Sequence, residues 1–189
     1  MKHRTIILML LLAATSCDRF SVADRVFDNS VYLDVSAFDR IQTATFSNTV
    51  NVAVKELSVK LSYPADKDIS ATISVDESLV PEYNSRYGTD YQMLPATFLD
   101  FDGKTVTISA GKVSSEKVVI GFKNLMGEGD AQTGAMEIDK TWLLPVTLHS
   151  DDIEIMKSSA TAYYLVKRSS AITVAVQLTD DFICFPRLD

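Results

Sequence analysis

From Val31 onward, β-branched and aromatic residues alternate with polar ones through most of the chain. A two-residue period of this kind marks strands with one face buried and the other in water. It predicts strands at 30–35, 43–55, 57–63, 69–75, 97–101, 105–108, 117–123, 141–148, 161–167 and 172–178. Turn residues punctuate them, as at Asp102-Gly103, Ser109-Ala-Gly-Lys112 and Lys123-Asn124, where Gly, Asp and Asn tolerate positive φ. Many short strands with few helical stretches predict an all-β fold, an antiparallel sandwich. Pro145 lies inside Trp142-Leu-Leu-Pro-Val146 and cannot donate to a ladder, which points to an edge strand or a bulge there.

One segment breaks the alternation. Residues 76–88 read as a short helix, with Asp76 as N-cap, Glu77 in the first turn and Gly88 closing the C-terminal end. Leu79, Val80, Tyr83 and Tyr87 then share one face and form an apolar stripe to lay on the sandwich. Pro81 is compatible with this only inside the first turn. Residues 127–134, Gly-Glu-Gly-Asp-Ala-Gln-Thr-Gly, read as the longest loop, flexible and solvated.

The N-terminus carries a different pattern: a basic head at Lys2 and Arg4, an apolar run from Ile6 to Ala14, small residues, then Cys17. A bilayer-spanning helix needs about 20 apolar residues, so this run is read as an export signal. The organisation expected is a lipoprotein signal at 1–16, a lipidated tether at 17–29 beginning with Cys17, and a sandwich at 30–170. Residues 171–189 either complete the sandwich or open a truncated further domain. Ala14 stands where such signals more often carry Leu, and the alternative is cleavage near Ala14 with Cys17 left as a free thiol.

Removing the signal leaves 173 of the 189 residues, enough for one domain with a core. It also shifts the net charge from −7 to −9, because the lost segment carries Lys2 and Arg4 and no acid. Such acidity argues against nucleic acid as a partner and against adhesion to anionic lipid by charge. Membrane attachment then falls to the lipid on Cys17, and several acyl chains anchor stably where one does not. With Cys17 lipidated, Cys184 has no disulfide partner, and its place in Phe182-Ile-Cys-Phe185 reads as a buried structural thiol.

No constellation for catalysis emerges. His149 is the only histidine after signal removal, and although Ser150, Asp151 and Asp152 adjoin it, strand neighbours point to opposite faces. It reads as a solvated strand-end residue. The acid pairs Asp100/Asp102, Glu128/Asp130, Asp151/Asp152 and Asp180/Asp181 fall in turns and strand ends, where carboxylates stay hydrated. No metal site or cofactor is expected; the loop at Gly127-Glu-Gly-Asp130 offers calcium only two carboxylates of the six to eight oxygens it takes. Aromatic rings are the remaining candidates, because sugars stack their C–H faces on exposed Tyr or Trp. Trp142 sits among Leu143, Leu144 and Val146 and reads as core. Tyr83, Tyr87 and Tyr91 are the glycan-contact candidates, with Tyr91, beyond Gly88, expected to be the most exposed. The alternative is that Tyr83 and Tyr87 pin the helix to the sheet.

The order Ser74-Val75-Asp76, Glu77-Ser-Leu-Val80, Tyr83-Asn84, Tyr87-Gly88-Thr89, Tyr91 and Leu94-Pro95 resembles a Bacteroidetes domain of unknown function found at the N-terminus of surface lipoproteins. Val106-Thr-Ile108, Ala110-Gly111-Lys112 and Trp142-Leu-Leu-Pro-Val146 agree with it, so the resemblance covers roughly Val31 to Val166. It implies an immunoglobulin-like sandwich in a non-catalytic, outer-membrane, surface-facing lipoprotein of a glycan-utilisation system. Such a module binds glycan weakly or presents a partner domain, and family members often precede a chitinase-like glycoside hydrolase or a laminin-G/concanavalin-like domain. A second expectation is a structural or adhesive envelope protein whose sandwich binds surface proteins.

Overall fold

The computed structural model describes residues 28–35, 40–129 and 132–170. Twelve strands and one helix follow in chain order: β1 (Ser30–Leu33), β2 (Ile41–Ser47), β3 (Ala53–Leu57), β4 (Val59–Leu61), β5 (Ile69–Val75), α1 (Leu79–Tyr87), β6 (Gln92–Met93), β7 (Leu99–Asp100), β8 (Lys104–Ile108), β9 (Val118–Phe122), β10 (Thr141–His149), β11 (Glu154–Ile155) and β12 (Thr161–Ser169). The fold is all-β and sandwich-like with one short helix. One layer runs β2-β12-β10-β5-β8, with β6 also paired to β10. The other contains β11-β1-β4 and β3-β9-β7. Ser58 separates β3 from β4, its carbonyl turned to accept the Asp34 N–H at 2.9 Å.

A single apolar cluster fills the space between the layers. Ile73, Leu144 and Val166 from the first layer share it with Leu33, Val59 and Ile120 from the second, all essentially without solvent contact. Phe46 and Phe122 meet across the layers with ring centroids 5.0 Å apart. Each such aliphatic side chain contributes about 1.5–3 kcal/mol through burial. Gly121 has a local reason to lack a side chain: a Cβ there would stand 2.9 Å from the Asp100 carbonyl oxygen of the adjoining β7.

β10 is buried on both faces. Trp142, Leu144, Val146 and Leu148 point into the sandwich, while Leu143 belongs to a second cluster with Tyr83 and Tyr163. The strand is therefore central, and the expectation that Pro145 marks an edge or a bulge is corrected. β6 pairs with Trp142 and Leu143, and β5 begins only at Val146, so Pro145 falls where two partners meet end to end. Its opposite residue, Tyr163, sends its N–H to Arg40 on β12's far side, and Pro145 keeps its carbonyl bonded to the Asp76 N–H at 3.2 Å. No donor is missed there.

Three other expectations need revision. The strand at 43–55 is broken after Ser47 by a turn in which the Val50 N–H bonds the Ser47 carbonyl at 3.0 Å. The chain changes layer there, which one uninterrupted strand could not do. The strand at 57–63 is cut by the Ser58 kink and ends at Leu61. The span at 97–101 begins as a 3-10 turn over Ala96–Phe98 and is a strand only at Leu99–Asp100. The strand at 172–178 lies outside the described residues.

Candidate functional site

α1 rests on the outer face of the first layer, and its start is shaped by Asp76. That carboxylate accepts from the Ser78 N–H at 3.0 Å and the Ser78 hydroxyl at 2.6 Å, closing a turn that feeds the helix at Leu79, three residues beyond the expected cap. Pro81 is the third helical residue, so its missing N–H costs no helical bond. At the other end Gly88 takes the left-handed conformation, φ 63°, that closes a helix most easily without a Cβ.

Asn84 then organises the loop that follows. Its amide donates to the Tyr91 carbonyl at 2.8 Å, and its oxygen accepts from the Tyr91 N–H at 3.0 Å and the Thr89 hydroxyl at 2.8 Å. One side chain thereby fixes where Tyr91 stands relative to the helix.

The structure brings the three tyrosines together. Tyr83 is buried, with ring centroids 4.5 Å from Tyr87, 6.3 Å from Tyr91 and 4.9 Å from Tyr163 of β12. Arg40 lies over the Tyr163 ring, its guanidinium carbon 5.7 Å from the centroid. Burial pushes the Tyr163 hydroxyl above its usual pKa, with the Arg40 cation opposing the shift. Exposure runs opposite to the expectation. Tyr87 is the exposed ring, 42% accessible, while Tyr91 is half-buried among the residues packed on Tyr83. Asn84 is the cause, because it draws the Tyr91 backbone against the helix.

Beside Tyr91 opens a cleft of about 390 Å³, lined by Asp90, Gln92, Asp139, Lys140 and Thr141 as well as Tyr91. Asp139 is paired with Lys167 at 3.1 Å, and Lys140 with Glu137 at 2.9 Å. The Lys140 ammonium also sits 4.0 Å from the Trp142 ring centroid. Trp142 itself is buried, as the sequence predicts, although its Nε1 finds no acceptor among the described residues. The exposed Tyr87 ring, backed by buried Tyr83, provides a flat apolar surface, and the cleft at Tyr91 provides several directional hydrogen-bonding groups.

His149, Ser150, Asp151 and Asp152 line one cleft of about 240 Å³, but no hydrogen bond joins His149 to Ser150 or to either acid among the described residues. His149 ends β10 exposed, and the Ser150 hydroxyl donates to the Ser70 carbonyl at 2.7 Å. Asp152 accepts from the Ser70 N–H at 2.8 Å, and Asp100 pairs with Lys123 at 3.2 Å. No group of three or more His, Cys, Asp or Glu among the described residues could hold a metal. Cys17, Asp130, Asp180, Asp181 and Cys184 lie outside the described residues, as do the signal, most of the tether and residues 171–189. No helix among the described residues is long and apolar enough to cross a membrane.

Sequence reasoning missed Arg168, which is fully buried at the end of β12. Its guanidinium donates to the Met136 carbonyl at 3.1 Å, the Asn48 carbonyl at 2.9 Å and the Gln132 side-chain oxygen at 2.8 Å. It ties the turn after β2 to the loop before β10. Read against the alternation, Arg168 continues the parity of Tyr164 and Val166, which is the only sequence signal of its burial.

Comparison with known proteins places these observations. The profile of a family described by position, as a "-like, N-terminal domain", matches residues 27–155. Among solved structures, a candidate carbohydrate-binding protein of Bacteroides ovatus is similar at 23% identity and TM-score 0.58, over 74% of this chain and 37% of that one. A two-domain protein of unknown function from Bacteroides fragilis matches at 15% identity and TM-score 0.56, over 76% and 47%. EndoBT-3987 of Bacteroides thetaiotamicron, solved with a Man5GlcNAc product, matches at 20% identity and TM-score 0.55, over 73% and 30%. The chain thus spans less than half the length of each of these structures. No curated protein matches it.

Proposed function

The chain belongs to this N-terminal-domain family, and from that premise we propose a non-catalytic module of a glycan-utilisation system, held at the outer membrane, facing the cell surface, by lipid on Cys17. It binds glycan weakly through Tyr87, Tyr91 and the cleft lined by Tyr91, or presents a partner domain. The observation that carries this reading is the exposed Tyr87 ring packed at a 38° tilt on buried Tyr83. A ring already fixed in place loses little entropy when a sugar face stacks on it. The likeness to a candidate carbohydrate-binding protein, and to a protein solved with a glycan product, supports the ligand class. Candidate acids engaged by a strand N–H, as Asp152 is, or by a surface ion pair, as Asp100 is, support a role without chemistry.

A second reading has its own observation. Val52, Val54 and Val119 are all more than half exposed, and Val54 and Val119 lie on the outer face of β3 and β9. Exposed valines of this kind, beside the Glu56–Lys117 ion pair, suit an envelope protein that binds other surface proteins. A glycan-array screen of the full chain separates the two. The glycan reading expects signals from neutral glycans that vanish in Tyr87→Ala, and the adhesive reading expects no such signal and a loss of protein capture in Val54→Thr.

A further inference from the structure

β8 ends its sheet, pairing with β5 on one side only. Along it runs a groove of about 410 Å³, walled on the far side by the segment that leads from β8 towards β9. Its lining differs in charge from the rest of the surface. Lys104, Lys112 and Lys117 line it against a single acid, Glu116, in a chain of net charge −7. Lys117 is engaged by Glu56, whereas Lys104 and Lys112 enter no ion pair among the described residues. The cleft at Tyr91 holds Asp90 and Asp139 against Lys140, and the one at His149 holds Asp151 and Asp152. The groove also presents hydroxyls from Thr105, Thr107, Ser109 and Ser114 but no aromatic ring.

We propose that this groove binds an acidic polysaccharide, with Lys104 and Lys112 pairing to carboxylates or sulfates along it. Sugar hydroxyls take the Thr and Ser side chains and the outward N–H and C=O groups of β8. Two considerations favour a glycan over an added protein strand. Lysines along an edge oppose strand pairing, and a hydroxyl-lined, ring-free wall offers no pocket for alternate apolar side chains. Charge complementarity supplies the choice of an anionic ligand. The site extends the glycan-binding reading yet shares no residue with Tyr87 or Tyr91, so either can fail alone.

The test is affinity electrophoresis of the full chain through gels containing polygalacturonate, dextran sulfate or neutral dextran. Retardation is expected with one or both acidic polymers and absent with dextran. It should weaken steeply with added salt, since exposed charges more than about 10 Å apart are screened at 0.1 M. The double variant Lys104→Gln/Lys112→Gln should lose about tenfold in affinity, while Lys157→Gln, at an exposed lysine outside the groove, retains the parent value. Carboxylate and sulfate sources are told apart by which polymer retards. Equal retardation by neutral dextran, no retardation by either acidic polymer at low salt, or a double variant that binds like the parent would overturn the proposal. Stronger binding of poly-glutamate than of either polysaccharide would reassign the groove to an acidic protein segment.

Discussion

The guanidinium of Arg168 donates to the main-chain oxygen of Met136 at 3.1 Å, and no carboxylate pairs with it among the described residues. A buried cation is thus solvated by three neutral oxygens, those of Met136, Asn48 and Gln132. Burying charge is tolerable only when hydrogen bonds replace water. The gain is architectural, because those oxygens come from two segments that β12 otherwise holds by backbone bonds alone, from the Asn48 N–H at 2.9 Å and the Asp139 N–H at 2.7 Å. Arg168→Ala strands all three acceptors and leaves a void, and should cost about 3 kcal/mol in urea unfolding. Arg168→Met fills the volume and should cost less. Equal stability of Arg168→Ala and the parent would remove this role.

Asn84 makes the corresponding link on the outer face. Its three side-chain hydrogen bonds set Tyr91 beside the helix. Asn84→Ala should destabilise the domain by about 1–2 kcal/mol. Amide hydrogen exchange at Tyr91 should rise much more than at β10. Unchanged protection at Tyr91 would show that the loop is held by something else.

Tyr164 gives the domain an alkaline limit. Burial in the core pushes its hydroxyl up to about 12, against an ordinary value of 10. Below pH 10 both folded and unfolded chains keep the proton, so stability is unaffected. Between about pH 10 and 12 the unfolded chain releases it and the folded chain does not, so stability falls by up to ~1.4 kcal/mol per pH unit. Tyr163, shifted in the same direction, adds to the slope. Tyr164→Phe should flatten the slope of unfolding free energy above pH 10. A slope identical to the parent's would rule out this residue as its source.

Much of this was legible in the sequence because alternation reports burial directly. β1, β5 and β9 sit within spans that the period-two pattern marks, and β8, β10 and β12 overrun theirs by one or two residues. The pattern cannot report pairing. At Asn48 and Thr49 the chain turns into the other layer, yet Val50, Val52 and Val54 keep the period going and hide the break. Pro145 misled because a proline looks the same at an edge as at a junction between two partners. β6 and β11, two residues each, are too short to show a period and exist only through the strands they join. The tyrosine cluster was foreseen from helical spacing, but which ring stays exposed depended on Asn84 hydrogen bonds to residues five and seven positions on.

The account stands on Tyr87 as a sugar-stacking surface, and calorimetry tests that most directly. The neutral glycan giving the strongest array signal is titrated into the full chain and into Tyr87→Ala, with folding checked by circular dichroism. The account predicts that Kd rises about tenfold in the variant, the loss of one ring-stacking contact worth ~1.4 kcal/mol. A folded variant that binds with the parent's Kd would contradict it.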